Sequence, residues 1–157
     1  MSDSKFFDLH VTGLGYLNRV RMVQPKKGEA FAACSIAALR GEWNKEGSIK
    51  PDSTKFDVRV SGKDVEPILD LLGPFNDKDR KIMVQFKLGD IYAETFVYDK
   101  DMGQFKKGDT GTVIKGRLLK ITRAWINGTP VDLSSVYPEE ANTEQSEAPE
   151  VPAAVNQ

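Results

Sequence analysis

The chain is poor in the side chains that most catalytic chemistry needs. It has one cysteine, Cys34, and one histidine, His10, among 157 residues. A lone cysteine forms no internal disulfide, and one cysteine with one histidine builds no zinc site of ordinary ligand number. Cys34 lies among Ala32, Ala33 and Ile36, the setting of a small buried apolar residue rather than a nucleophile. His10 precedes Val11 in a strand-like stretch, where it packs or faces solvent. No Walker loop, nucleophile elbow or H-E-x-x-H motif is present. Gly13-Leu14-Gly15 lacks the third glycine of a dinucleotide fingerprint and reads as a strand bend or bulge. No apolar run approaches the length of a membrane span, and Met1-Ser2-Asp3-Ser4-Lys5 opens no apolar signal segment. These absences predict a protein that is not an enzyme, carries no cofactor or metal, avoids membranes and works in a reducing cytoplasm. A metal-dependent enzyme would need carboxylates such as Asp57, Asp90 and Glu94 to converge, which the sequence does not establish.

What is present is hydrophobic periodicity, and it changes period twice between Thr54 and Leu88. Phe56, Val58 and Val60 alternate with polar residues, the signature of a half-buried strand. Val65, Ile68, Leu69 and Leu72 then fall on one stripe of a helix, with Asp64 at the N-cap position, Pro67 in the first turn and Gly73-Pro74 to close it. Ile82, Val84, Phe86 and Leu88 restore the alternation. One short helix between strands, in an otherwise strand-like chain, predicts a small closed barrel with a helical plug.

The remaining segments read as strands and turns. Phe6 to Val23 is a long extended stretch. Pro25-Lys26-Lys27-Gly28-Glu29 is a turn leading to a second strand over Ala30 to Leu39, whose alanines alone would also suit a helix. Arg40 to Ser53 is a polar loop carrying Trp43. Gly89-Asp90 reads as a tight turn before a separate strand, Ile91 to Tyr98, with Tyr92, Glu94, Phe96 and Tyr98 on one face. Asp99 to Asp109 is a charged loop, and Thr110 to Ile121 a closing strand. Asn127-Gly128 is a strong type I′ hairpin signal. From Pro138 to Gln157 there are five glutamates, three prolines and no Lys or Arg, which predicts a disordered acidic tail. The domain is therefore expected over residues 1–137. The chain has 22 basic and 23 acidic residues, and setting the tail's five glutamates aside leaves the body mildly cationic.

Strand, strand, strand, helix, strand, hairpin extension, strand is the order of an OB-fold, a five-stranded Greek-key barrel with its helix between strands three and four. Single-strand recognition on such a barrel needs cations for the phosphates and flat rings for the bases. The candidate cations are Arg19 and Arg21, two apart on the first strand, Lys26 and Lys27 in the first turn, Lys55 and Arg59 facing outward on the third strand, and Arg117 on the last. The candidate stacking residues are Trp43, Tyr92 and Tyr98, while Phe96 is equally suited to packing. The competing expectation is a protein-docking barrel, marked by an exposed apolar patch around Trp125 and Tyr137. Self-association suits a single-strand binder, because linked sites raise affinity.

Several stretches also resemble a known family: Phe6 to Val20, Ala33-Cys34-Ser35-Ile36-Ala37-Ala38-Leu39-Arg40-Gly41, Phe56 to Gly62, Gly89 to Phe96 and Lys115-Gly116-Arg117-Leu118-Leu119. They are similar to small proteins of bacterial integrating conjugative elements, labelled as replication proteins, whose domain is otherwise of unknown function. The resemblance spans roughly residues 6–131. It implies a bacterial mobile-element protein working near DNA replication or transfer. Together with the cations and rings of the barrel, the expectation is a single-stranded-DNA-binding protein that supports replication, recombination or transfer of the element, with the element's replication or recombination proteins as further partners. A weaker likeness is to bacterial single-strand binding proteins, through Arg59-Val60-Ser61-Gly62, Gly116-Arg117-Leu118 and the acidic tail. The chain departs from them in its last residues, Pro152-Ala153-Ala154-Val155-Asn156-Gln157, where they carry an acidic run with an apolar tip.

Overall fold

A computed structural model of the chain describes residues 5–72 and 80–137. The expected acidic tail, 138–157, and the Gly73-Pro74 helix stop lie outside the described residues. Six strands and one helix follow in order: β1 (His10–Val23), β2 (Phe31–Arg40), β3 (Asp52–Val60), α1 (Val65–Leu72), β4 (Ile82–Val97), β5 (Thr110–Ile126) and β6 (Thr129–Pro130). β1 pairs with β2 and β4, β2 with β3, and β4 with β5, all antiparallel. A parallel pairing of β3 with β5, Phe56 to Val60 beside Ile114 to Leu118, closes the ring. A closed five-stranded barrel with its helix between the third and fourth strands is the OB-fold.

The alternations read from the sequence set its inside and outside. Leu17, Ile36, Phe56, Val58, Val84, Phe86, Leu118 and Ile121 fill the barrel. Val65, Ile68, Leu69 and Leu72 of α1 are buried and join that core. The last helical carbonyl, Leu72 O, accepts a hydrogen bond from Arg80 Nη2 at 3.0 Å, so a side chain at the entry to β4 satisfies a helix end that has no partner of its own. β2 is a strand despite its alanines, because it is paired on both edges and buried on both faces. Asn127 and Gly128 both have positive φ, 49° and 85°, as a type I′ turn requires. Asn127 Oδ1 also accepts from Lys81 N at 2.8 Å, tying the hairpin to the start of β4.

Three local expectations are corrected. Gly89-Asp90 is not a turn between two strands. It is a bulge within the single strand β4, where Asp90 takes φ 54° and the register with β5 shifts between Gly89 and Tyr92. Gly13-Leu14-Gly15 is not a bulge, since its pairing with β4 runs unbroken from His10 to Tyr16. Gly15 is there for contact: a Cβ on it would sit 2.6 Å from the Ala37 carbonyl oxygen. The irregularity of β1 falls at Arg19, which has φ 54° and lies where the register shifts between Asn18 and Arg21. Simple alternation therefore does not put Arg19 and Arg21 on one face.

Cys34 is completely buried, and burial pushes its thiol up from 9.0 to about 12, helped by Asp57 and opposed by Arg21. The native protein is therefore expected to resist a thiol reagent at about pH 8 and to react once unfolded. The folded thiol ionises above the unfolded one, so its contribution to stability is intact below pH 9 and falls away as pH climbs towards 12. Native labelling as fast as that of the unfolded chain would contradict this burial.

Candidate nucleic-acid interface

Strand register places the outward side chains of all five barrel strands in rows. Asn18 lies opposite Ser35, Ser35 opposite Asp57, Asp57 beside Lys115, and Lys115 opposite Tyr92. The next row along the strands is Arg21, Ala33, Arg59 and Arg117. On the other side, Tyr16, Ala37 and Lys55 are in line. The β2 members of these rows are small, and Ala33, Ser35 and Ala37 are buried. They form a floor between taller side chains.

Recesses open along this face, two of them over that floor. The largest, about 530 Å³, is lined by Arg21, Phe31, Asp57, Arg59, Asp90, Tyr92, Lys115 and Arg117, among others. The second, about 410 Å³, shares Asp57 and Lys115 with it and adds Arg19, Lys55, Glu94, Phe96 and Tyr98. The third, about 320 Å³, shares Arg19 and Lys55 with the second and reaches Asn18, Ser35 and Ser53. The shared residues set the three recesses side by side, and together they form a trough along this face. Six cations line it, Arg19, Arg21, Lys55, Arg59, Lys115 and Arg117, against three carboxylates, Asp57, Asp90 and Glu94.

Half of those cations are already paired. Arg21 Nη2 meets Asp57 Oδ1 at 3.0 Å, Lys115 Nζ meets Glu94 Oε2 at 3.2 Å, and Arg117 Nε meets Asp90 Oδ2 at 3.5 Å. Such partly exposed pairs contribute about 0–1 kcal/mol each, so a phosphate can compete for their cations at little cost. Arg19, Lys55 and Arg59 have no ion-pair partner among the described residues. Arg59 instead lays its guanidinium 4.2 Å above the Phe31 ring, which holds a flat cation over the trough. The three carboxylates named for a metal-dependent alternative each face a different cation. Among the described residues no group of three or more His, Cys, Asp or Glu side chains is placed to hold a metal ion.

The trough gathers seven of the ten residues chosen from the sequence. Arg21, Arg59, Tyr92 and Arg117 line the largest recess, and Arg19, Lys55 and Tyr98 the second. Tyr92 is well exposed, as a stacking ring must be. Tyr98 is half-buried and already stacked on Phe105, with centroids 4.8 Å apart and planes at 7°, and has the Phe96 ring against it edge-on. One of its faces is therefore taken. Lys26 and Lys27 are exposed in the β1–β2 turn, and Trp43, 37% exposed, sits in the β2–β3 loop. None of these three lines the recesses described. Phe31, Lys115 and Phe105 were missed. Phe31, Ala33, Ser35 and Ala37 are alternate residues, so the period-2 pattern of β2 held the signal for Phe31. Phe96 is 40% exposed rather than core, and lies over Gly111, where a Cβ would meet its ring at 2.5 Å.

The apolar patch expected of a docking barrel is not formed at Trp125, which is buried against Tyr16, Ala37 and Met83 outside the barrel. Apolar exposure is concentrated instead just before β1, at Phe6, Phe7 and Leu9. No described helix is long and apolar enough to cross a membrane.

A family model described as "Protein of unknown function (DUF3577)" matches residues 1–145. Among solved structures, the chain is similar to the Plasmodium falciparum SSB in complex with ssDNA, with a TM-score of 0.42 and 13% identity over 84% of this chain and 100% of that chain. The search of curated proteins finds no match.

Proposed function

The chain belongs to the DUF3577 family of proteins of unknown function, and we propose that it binds single-stranded DNA in the trough across β1, β2, β3, β5 and the outer part of β4. One observation carries this reading. Arg19, Lys55 and Arg59 stand without ion-pair partners among the described residues, on a single trough that also presents Phe31, Tyr92 and Phe96. Cations that track phosphates beside rings that accept bases are the two requirements of single-strand binding. The protein is read as a binding protein rather than an enzyme. Its barrel, within residues 1–137, does the binding, and residues 138–157, with five glutamates and no Lys or Arg, are not part of the proposed site. The resemblance to proteins of integrating conjugative elements supports a setting in replication, recombination or transfer of such an element, in the cytoplasm of its host.

Fluorescence polarisation of a labelled oligothymidylate, against a duplex of equal length and at low and high salt, tests the reading. The single strand is expected to bind more tightly than the duplex, and to weaken as salt rises. Phe31→Ala removes the ring beneath Arg59. It is expected to weaken binding about fivefold or more, the equivalent of one stacked base. Trp43→Ala, outside the trough, is expected to cost less. Failure to bind at low salt would overturn the proposal. It would favour protein docking through Phe6 and Phe7, which are 87% and 94% exposed.

A further inference from the structure

The middle of the trough is built for something other than phosphate. The β1–β3 part of its central row, Asn18, Ser35 and Asp57, is polar and carries one carboxylate, with Lys115 and Tyr92 following on β5 and β4. Ser35 is 1% exposed, its hydroxyl has no hydrogen-bond partner, and it lines the recess that Arg19 and Lys55 share. A buried hydroxyl left unpaired is uncommon and costs stability unless something else supplies the bond. Beside it, Asp57 gives Oδ1 to Arg21 and keeps further acceptor sites, its side chain 21% exposed between the two larger recesses. A carboxylate there repels a phosphate. It attracts a group with N–H donors, and a strand whose phosphates lie on the flanking cations brings base edges to it.

Resting on the single-strand reading, we infer that Asp57 and Ser35 form a base-reading subsite that favours guanine over thymine. Guanine presents two adjacent donors on its pairing edge, N1–H and N2–H, which match a carboxylate held in place by an arginine. Thymine offers one N–H set between two carbonyl oxygens, which a carboxylate repels. The Ser35 hydroxyl, free to rotate, accepts a remaining N–H or donates to a ring carbonyl.

The test compares polarisation binding of oligonucleotides of about 12 bases, within the usual reach of one OB-fold. The probes are an all-thymine strand and an alternating thymine–guanine strand, which does not fold on itself as a guanine tract does. The wild-type protein is expected to prefer the guanine-containing strand about tenfold. Asp57→Asn is expected to abolish most of that preference and to tighten thymine binding, since it removes a charge that repels the backbone and releases Arg21 from its ion pair. Ser35→Ala, which only deletes an unpaired hydroxyl, is expected to reduce the preference with the fold intact. Equal binding of both strands by the wild type, or a preference that survives Asp57→Asn, overturns the subsite and leaves the single-strand reading standing. Binding of neither strand overturns both.

Discussion

Gly62→Ala is expected to destabilise the fold by about 3 kcal/mol or more, far beyond the usual cost of one added methyl. Gly62 sits where β3 passes into α1. Ser61 N and Gly62 N both donate to Leu118 O, at 3.0 and 3.1 Å, and Val65 N donates to Gly62 O at 3.0 Å. The turn into the helix is thus held flat against β5. A Cβ at this position would lie 2.0 Å from the Leu119 carbonyl oxygen and 3.0 Å from Val65 Cγ2. The first neighbour is backbone in the strand that closes the barrel, so it has little freedom to retreat. Relief requires lifting the connection, and with it Val65 and Ile68, both completely buried. Urea unfolding measures the loss directly, with an accompanying fall in Tm of roughly 6–12 °C for a domain of this size. A midpoint within error of the wild type would show that α1 is not seated on β5 as described.

The same junction shows why so much of the fold was legible in the sequence. Phe56, Val58 and Val60, then Val65, Ile68, Leu69 and Leu72, then Ile82, Val84, Phe86 and Leu88 change period where the structure changes from strand to helix and back. One-sided burial writes itself into sequence as periodicity. Asn127-Gly128 was legible for a different reason: few residue pairs tolerate two successive positive φ values. Gly89-Asp90 misled because a turn and a bulge ask for the same local backbone, and only the pairing of β4 with β5 on both sides of it tells them apart.

The site was legible in its residue types more than in its arrangement. Outward Lys55 and Arg59 follow from parity on β3. The positions of Arg19 and Arg21 do not, because the bulge between Asn18 and Arg21 breaks the count. The pairing of Arg21 with Asp57 joins β1 to β3, two strands that are not neighbours in the sheet. No local pattern encodes that meeting. The trough itself depends on Ala33, Ser35 and Ala37 being small, and small residues carry weak periodic signals.

Electrostatics supplies the other large effect. Replacing Arg19, Lys55 and Arg59 together by alanine removes the trough's three cations that have no ion-pair partner among the described residues. Each phosphate contact on a single strand contributes about 0.7 to the slope of log affinity against log salt. Losing three is expected to flatten that slope by about 2 and to weaken low-salt binding roughly a hundredfold. None of the three side chains belongs to the barrel core, so unfolding stability is expected to change by less than about 1 kcal/mol. Changing Lys26 and Lys27 to alanine, outside the trough, is expected to have a much smaller effect on both quantities. The deciding measurement is therefore the salt dependence of oligothymidylate binding by the wild-type protein and by the Arg19→Ala, Lys55→Ala, Arg59→Ala variant. A steep wild-type slope that flattens by about 2 in the variant places the phosphates in this trough. A slope and affinity unchanged by the triple substitution would contradict it and send the search for the binding surface elsewhere on the molecule.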